Sequence, residues 1–197
     1  MQDGNGALGL SEGNMGRFMA ILKPLVTAAA LALAAPVAAQ EPLDDLFTAL
    51  ATAEGQDAQR IAEKIASEWG RSGSPAMDIL LERGREAMQD DDVTRAIEHF
   101  SALVDHAPEF AEGYHARATA FYQQRRVGLA LDDLREALAR NPRHFGALTG
   151  LGVVFSELGR DDLALRAWRA VEEIYPAHPE AANAIERLER LVEGSTL

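Results

Sequence analysis

Cysteine is missing from all 197 residues. Its absence excludes disulfides, thiolate-ligated zinc or iron–sulfur centres, a cysteine nucleophile and lipid attachment through an N-terminal cysteine. Aromatic side chains make up only 6% of the chain, and 19 Lys and Arg stand against 31 Asp and Glu. The resulting net charge of −12 repels a nucleic-acid backbone, so no nucleic-acid partner is expected. Long apolar runs are also lacking. The one uninterrupted stretch, Pro24 to Ala39, falls short of the ~20 residues that span a bilayer. What remains, 47% hydrophobic and 25% charged, is the composition of a folded chain with one domain, or one domain and an appendage.

The N-terminus reads as separate from the fold. Residues 1–14 are Gly/Asn-rich, and Met15 or Met19 makes a more sensible start. From Met15 the chain runs through Arg17 and Lys23, then an apolar stretch from Leu25 to Ala35, and closes on Val37-Ala38-Ala39 before Gln40-Glu41-Pro42. Basic, apolar, then small is the build of a secretory signal peptide. Cleavage after Ala39, loss of residues 1–39 and export to a bacterial periplasm are expected, with no integral membrane segment afterwards. A retained anchor is the alternative. No twin arginine precedes the run, which favours unfolded export. The segment carries two acids and two bases, so its removal leaves the net charge unchanged.

Self-similarity organises the rest. Prolines stand at 108, 142 and 176, and alanines at 62, 96, 130 and 164, all in steps of 34. Small residues Gly84, Ala118 and Gly152 keep the same step, as do bulky Phe100, Leu134 and Trp168. Such a period is the mark of a repeat architecture. Within the unit starting at Ala111, Tyr114, Ala118 and Phe121 form one helical stripe, and Ala130, Leu134, Ala137 and Leu138 a second. The polar break Gln123-Gln124-Arg125-Arg126 separates them, and Asn141-Pro142 ends the unit. There proline stops the second helix and can begin the next. The next unit repeats this with Leu148, Gly152 and Phe155, then Ala164, Trp168 and Val171. A glycine inside a helix costs roughly 1 kcal/mol against alanine, so Gly84 and Gly152 are expected where backbones approach closely. The second-helix alanine is the expected opposite wall, with the bulky residue four positions on filling space towards the next unit.

This pattern resembles the tetratricopeptide repeat (TPR) family, built of 34-residue helix–turn–helix units. The match is best over 77–110, 111–144 and 145–178. The resemblance implies an all-α fold, a right-handed superhelix of stacked helix pairs. The first unit departs from the family with Arg83 and Ala87, where larger apolar residues are usual, so its packing is the less secure. Residues 40–76 keep Ala62 in register but carry Leu50 where the small residue belongs, and read as a degenerate repeat or a capping hairpin. The tail 179–197 holds a capping helix over Pro179–Glu193, marked by Ala181, Ala184, Ile185, Leu188, Leu191 and Val192.

Chemistry is harder to find. His99 and His106 are seven apart on one helix, about 10.5 Å of rise, too far to share a metal. His144 and His178 occupy one repeat column, which argues for a structural role, and His115 faces the inner surface. Beyond residues 1–14 there is no HExxH, P-loop, GxGxxG or GxSxG run. Gly146, Gly150 and Gly152 read as helix packing, and Asp44-Asp45 and Asp132-Asp133 as solvated faces. No catalytic residue, cofactor or metal is expected.

The resemblance places a concave groove along the first helices. Its columns hold Asp78, Leu81, Arg85 and Met88, then Glu112, His115, Thr119 and Tyr122, then Thr149, Val153 and Ser156. Of these, Arg85, Met88, His115, Thr119, Tyr122, Thr149 and Val153 are the candidate partner-binding residues. Family members that grip acidic chaperone tails line this groove with lysines and an asparagine. Here those columns hold Leu81, Arg85, Ala116, Gly146 and Gly150, so that clamp is absent and chaperone-tail binding is disfavoured. The expected function is a non-enzymatic scaffold binding an extended or helical polypeptide. The alternatives are a structural part of an envelope assembly, or an enzyme or small-molecule binder with an unrecognised site.

Overall fold

The computed structural model describes residues 41–194, so the expected leader and its cleavage point lie outside the described residues. Among the described residues the elements are all helical. A hairpin comes first, α1 (Glu41–Leu50) and α2 (Gly55–Trp69). Three helix pairs follow: α3 (Pro75–Gln89) with α4 (Val93–His106), α5 (Ala111–Gln123) with α6 (Val127–Arg140), and α7 (Phe145–Glu157) with α8 (Asp161–Ile174). The last helix is α9 (Ala181–Gly194). Consecutive helices from α3 to α9 pack in sequence, giving the expected stack. None is long and apolar enough to cross a membrane.

The period is written into the turns. Each first helix ends on a residue in the left-handed region, Asp91 (φ 60°), Arg125 (φ 61°) and Gly159 (φ 64°), again 34 apart. The following N–H groups, of Asp92, Arg126 and Arg160, return to the carbonyls of Ala87, Phe121 and Phe155 at 2.8, 2.8 and 2.9 Å. This pairing satisfies carbonyls that the helix end leaves open. The repeat prolines do not begin the next helix as expected. Each sits second in a four-residue turn closed by a backbone bond, such as Phe110 N–H to the Ala107 carbonyl at 3.0 Å. Proline's fixed φ suits that position.

Inside each unit the small residue meets the bulky one. A Cβ added to Gly84 would stand 2.7 Å from Phe100 Cζ, and one added to Gly152 2.7 Å from Trp168 Cε2. The nearest wall is therefore the ring of the same unit, not the alanine that the sequence suggested. Ala118 and Leu134 share one core cluster in the middle unit. Leu134 also reaches the next unit, 2.9 Å from a Cβ built on Gly150. Ala96, Ala130 and Ala164 are fully buried. In the first unit Arg83 is exposed and Ala87 buried. At the far end Ala181, Ala184, Ile185 and Leu188 of α9 close the core over Trp168 and Val171, while Leu191 stays exposed.

The N-terminal hairpin departs from the stack. α4 packs on α5 and α6 on α7, but α2 makes no comparable packing with α3. The connector turns through Gly73 (φ 81°). The Asp78 carboxylate fixes it, accepting from the Ser72 N–H at 2.7 Å and Ser72 Oγ at 2.6 Å. The hairpin core of Phe47, Leu50, Ala58, Ala62 and Ile65 then closes on Tyr175, with Phe145, Ile174 and Ala177 around it.

Candidate functional site

The first helices α3, α5 and α7 present their groove columns to two adjoining recesses. One lies between α3 and α5, encloses about 290 Å³ and is bordered by Arg85, Met88, His115 and Thr119. The other lies between α5 and α7, encloses about 220 Å³ and is bordered by His115, Thr119, Tyr122, Thr149 and Val153. All seven candidate residues are thus brought together, with His115 and Thr119 shared by both recesses.

Several of them already have internal partners. Thr119 Oγ1 donates to the His115 carbonyl at 3.1 Å, and Thr149 Oγ1 meets His178 Nε2 at 3.4 Å. Tyr122 OH donates to the Glu157 carboxylate, which raises the phenol's pKa, with its burial acting in the same direction. Met88 and Val153 are half-buried against the core. Three other members of the groove columns are spent elsewhere. Leu81 is buried in the core, Asp78 holds the connector, and Ser156 Oγ donates to the Gly152 carbonyl at 2.7 Å.

Glu112 is the departure with most consequence. Sequence reasoning placed it on the groove surface, yet it is 8% exposed. Arg85 donates to its Oε1 at 2.6 Å, while its Oε2 lies 3.3 Å from His115 Nδ1 and 2.9 Å from His144 Nε2. Burial works to raise the carboxyl pKa, but the hydrogen bonds from His115 and His144 outweigh it and hold Glu112 well below the usual carboxylate range. His144 caps α7, its Nδ1 accepting from the Ala147 N–H at 3.2 Å. That bond puts the ring proton on Nε2, which therefore donates to Glu112. Burial drives the His144 pKa down, opposed by the Glu112 hydrogen bond. Trp69, at the end of α2, stacks on the His144 ring at 4.4 Å and 23°. One carboxylate thus links the hairpin to all three repeats.

Ligand atoms of Glu112, His115 and His144 lie within 4.8 Å of one another, a spacing a metal ion can use. The wiring is nonetheless that of a hydrogen-bonded network. Ligation through His144 Nε2 requires its proton to move to Nδ1, which breaks the α7 cap, and Arg85 holds the other Glu112 oxygen. A second buried pair braces the middle unit, where Arg117 donates to both oxygens of Asp133 at 2.7 and 2.8 Å.

Comparison with known proteins agrees with this architecture. The tetratricopeptide repeat profile matches residues 81–135 and 115–182. The chain belongs to the tetratricopeptide repeat family. A TPR repeat-containing protein of Rhizobium etli is 31% identical over 157 residues, covering 79% of this chain and 77% of that protein. The small glutamine-rich tetratricopeptide repeat-containing protein 2 of Saccharomyces cerevisiae is 26% identical over 134 residues, 68% of this chain but only 37% of that protein. Among solved structures, the first TPR domain of Spaghetti (RPAP3), bound to the HSP90 peptide SRMEEVD, superposes with a TM-score of 0.57. It is 21% identical and covers 59% of this chain and 93% of its own. The Sgt2 TPR domain of Aspergillus fumigatus gives 0.58 at 21% identity, over 62% and 83%. At such identities the likeness speaks for the TPR fold alone.

Proposed function

We propose that this TPR protein is a non-enzymatic scaffold that holds a segment of a partner polypeptide in the concave face of α3, α5 and α7. We propose further that it works in a bacterial periplasm after loss of residues 1–39. The observation that carries the binding reading is the convergence of Arg85, Met88, His115, Thr119, Tyr122, Thr149 and Val153 on two adjoining recesses. The similar RPAP3 domain, captured with a peptide, supports the same use of the fold. Export rests on the basic, apolar and small-residue order of residues 15–39.

The test is crosslinking in intact cells from photoreactive residues placed at Thr119 and Thr149, with exposed Glu136 of α6 as the control position. Partner adducts are expected at the two groove positions and not at the control. Arg85→Ala combined with Tyr122→Ala should weaken the captured partner by about 2 kcal/mol with helix content intact, because Arg and Tyr are frequent interface anchors. Adducts from the control alone would place the partner outside the groove. Mass measurement of the exported chain should give a start at Gln40 or within a residue or two.

A further inference from the structure

We infer that the recess between α5 and α7 is a selective subsite, taking one bulky apolar side chain from an extended partner segment of net positive charge. The inference rests on the groove reading above and adds the chemistry of the occupant.

Size comes first. An engineered apolar cavity of about 150 Å³ accepts a benzene molecule. A recess of about 220 Å³ therefore holds a leucine, methionine or phenylalanine side chain with its backbone left outside. Polarity comes second. The three hydroxyls on the border, those of Thr119, Thr149 and Tyr122, are each bonded within the protein. The rest of the lining is mainly Ala118, Leu134, Gly150, Val153 and Val154, with the His115 ring at one edge. A charged side chain entering here would give up water against a largely apolar wall, whereas an apolar one gains. The floor is the Leu134 side chain, reached because Gly150 has no Cβ to cover it. The recess one repeat earlier is different in kind, with the Arg85–Glu112 ion pair on its border. The recess beyond α7 carries Glu157, Glu180 and Arg187 on its border, which leaves the α5–α7 recess the least polar of the three. Charge comes third. A net charge of −12 steers basic segments towards the protein and repels acidic ones.

The experiment is selection of a random twelve-residue phage-displayed peptide library on the full chain, followed by fluorescence anisotropy with the synthesised hits. Enriched peptides should share one Leu, Ile, Met or Phe within a net-positive stretch. Replacing that residue by alanine should raise Kd at least tenfold for the parent protein. The same replacement should change Kd less than twofold for Val153→Trp, which fills the recess. Thr149→Leu, a smaller intrusion checked for helix content, serves where Val153→Trp disturbs the fold. Hits that crosslink at Thr119 but ignore the alanine replacement, or that are acidic, overturn the subsite and leave the scaffold reading standing. Hits unaffected by the Arg85→Ala, Tyr122→Ala pair and silent at Thr119 overturn the scaffold reading itself. Failure to enrich any peptide overturns both.

Discussion

Two glycine-to-alanine substitutions of identical chemistry should change stability in opposite directions. Alanine favours a helix over glycine by roughly 1 kcal/mol. At Gly128, in the first turn of α6, nothing lies within 4 Å of the added Cβ, so Gly128→Ala should stabilise by about 0.5–1 kcal/mol. At Gly84 the Cβ would stand 2.5 Å from Phe100 Cδ1 and 2.7 Å from Cζ. The ring is 1% exposed and cannot swing into solvent. Overpacking of this kind costs about 1–3 kcal/mol, and the contact puts the cost near the upper end. Net of the helix gain, Gly84→Ala should destabilise by about 1–2 kcal/mol, or roughly 3–6 °C in Tm for a chain of this size. The middle unit already contains the compensated version, Ala118 with Leu134. Adding Phe100→Leu to Gly84→Ala should therefore recover stability, with a favourable coupling of about 1–2 kcal/mol in a double-mutant cycle. Urea unfolding followed by circular dichroism measures all four proteins and the Gly128 control. If Gly84→Ala is neutral or stabilising, or its effect simply adds to that of Phe100→Leu, the small-against-bulky packing argument is wrong.

Three further expectations follow from the network and the buried pair. Trp69→Ala should cost about 2 kcal/mol, below the ~3–5 kcal/mol of a fully buried aromatic because Trp69 is only half-buried; hydrogen exchange should rise across α1 and α2 more than across α4 and α6. Burial keeps His144 neutral in the fold, so the unfolded chain takes up its proton first as pH falls below 6.5. Stability should then drop with acidification by up to about 1.4 kcal/mol per pH unit. In His144→Asn, which keeps a helix-capping oxygen, unfolding measured from pH 7 to 5 should show a shallower slope. Arg117→Ala strands the buried Asp133 carboxylate and should cost about 3 kcal/mol in chemical denaturation, far more than Arg135→Ala in its exposed pair.

The repeat was legible because every unit solves the same packing problem at the same spacing. Gly84, Ala118 and Gly152 must be small where Phe100, Leu134 and Trp168 are large, and that requirement recurs every 34 residues. The groove columns came with the family resemblance; the seven candidates drawn from them border the two recesses, while Leu81, Asp78 and Ser156 of the same columns are spent elsewhere. What stayed hidden is aperiodic. Ala62 keeps the register, yet it packs inside a hairpin core and not against α3. Nothing near Trp69 in the sequence points to His144, 75 positions away. Glu112 looked like any exposed acid at a helix start, because the groups that bury it come from three other elements. Its clearest sequence signal was chemical: an Arg, two His and one Glu on facing first-helix ends.

A linear array of helix pairs ordinarily loses structure from its ends, since each terminal unit has one neighbour where the others have two. Here the first hairpin is fastened to the turn that closes the second repeat and to the end of the third. Asp44 meets Arg143 at 2.7 Å, 99 residues apart, Arg143 lies over the Phe47 ring at 4.2 Å, and Tyr175 enters the hairpin core. The N-terminal end is therefore not free to fray alone, and releasing it takes contacts from the third unit as well. Such a brace couples the ends, so the repeats should melt in a single sharp transition and not as a succession of units. It also sets the order of assembly. The brace cannot close until residues up to Tyr175 are in place, so it closes after the short-range pairs that build the surface on which it rests.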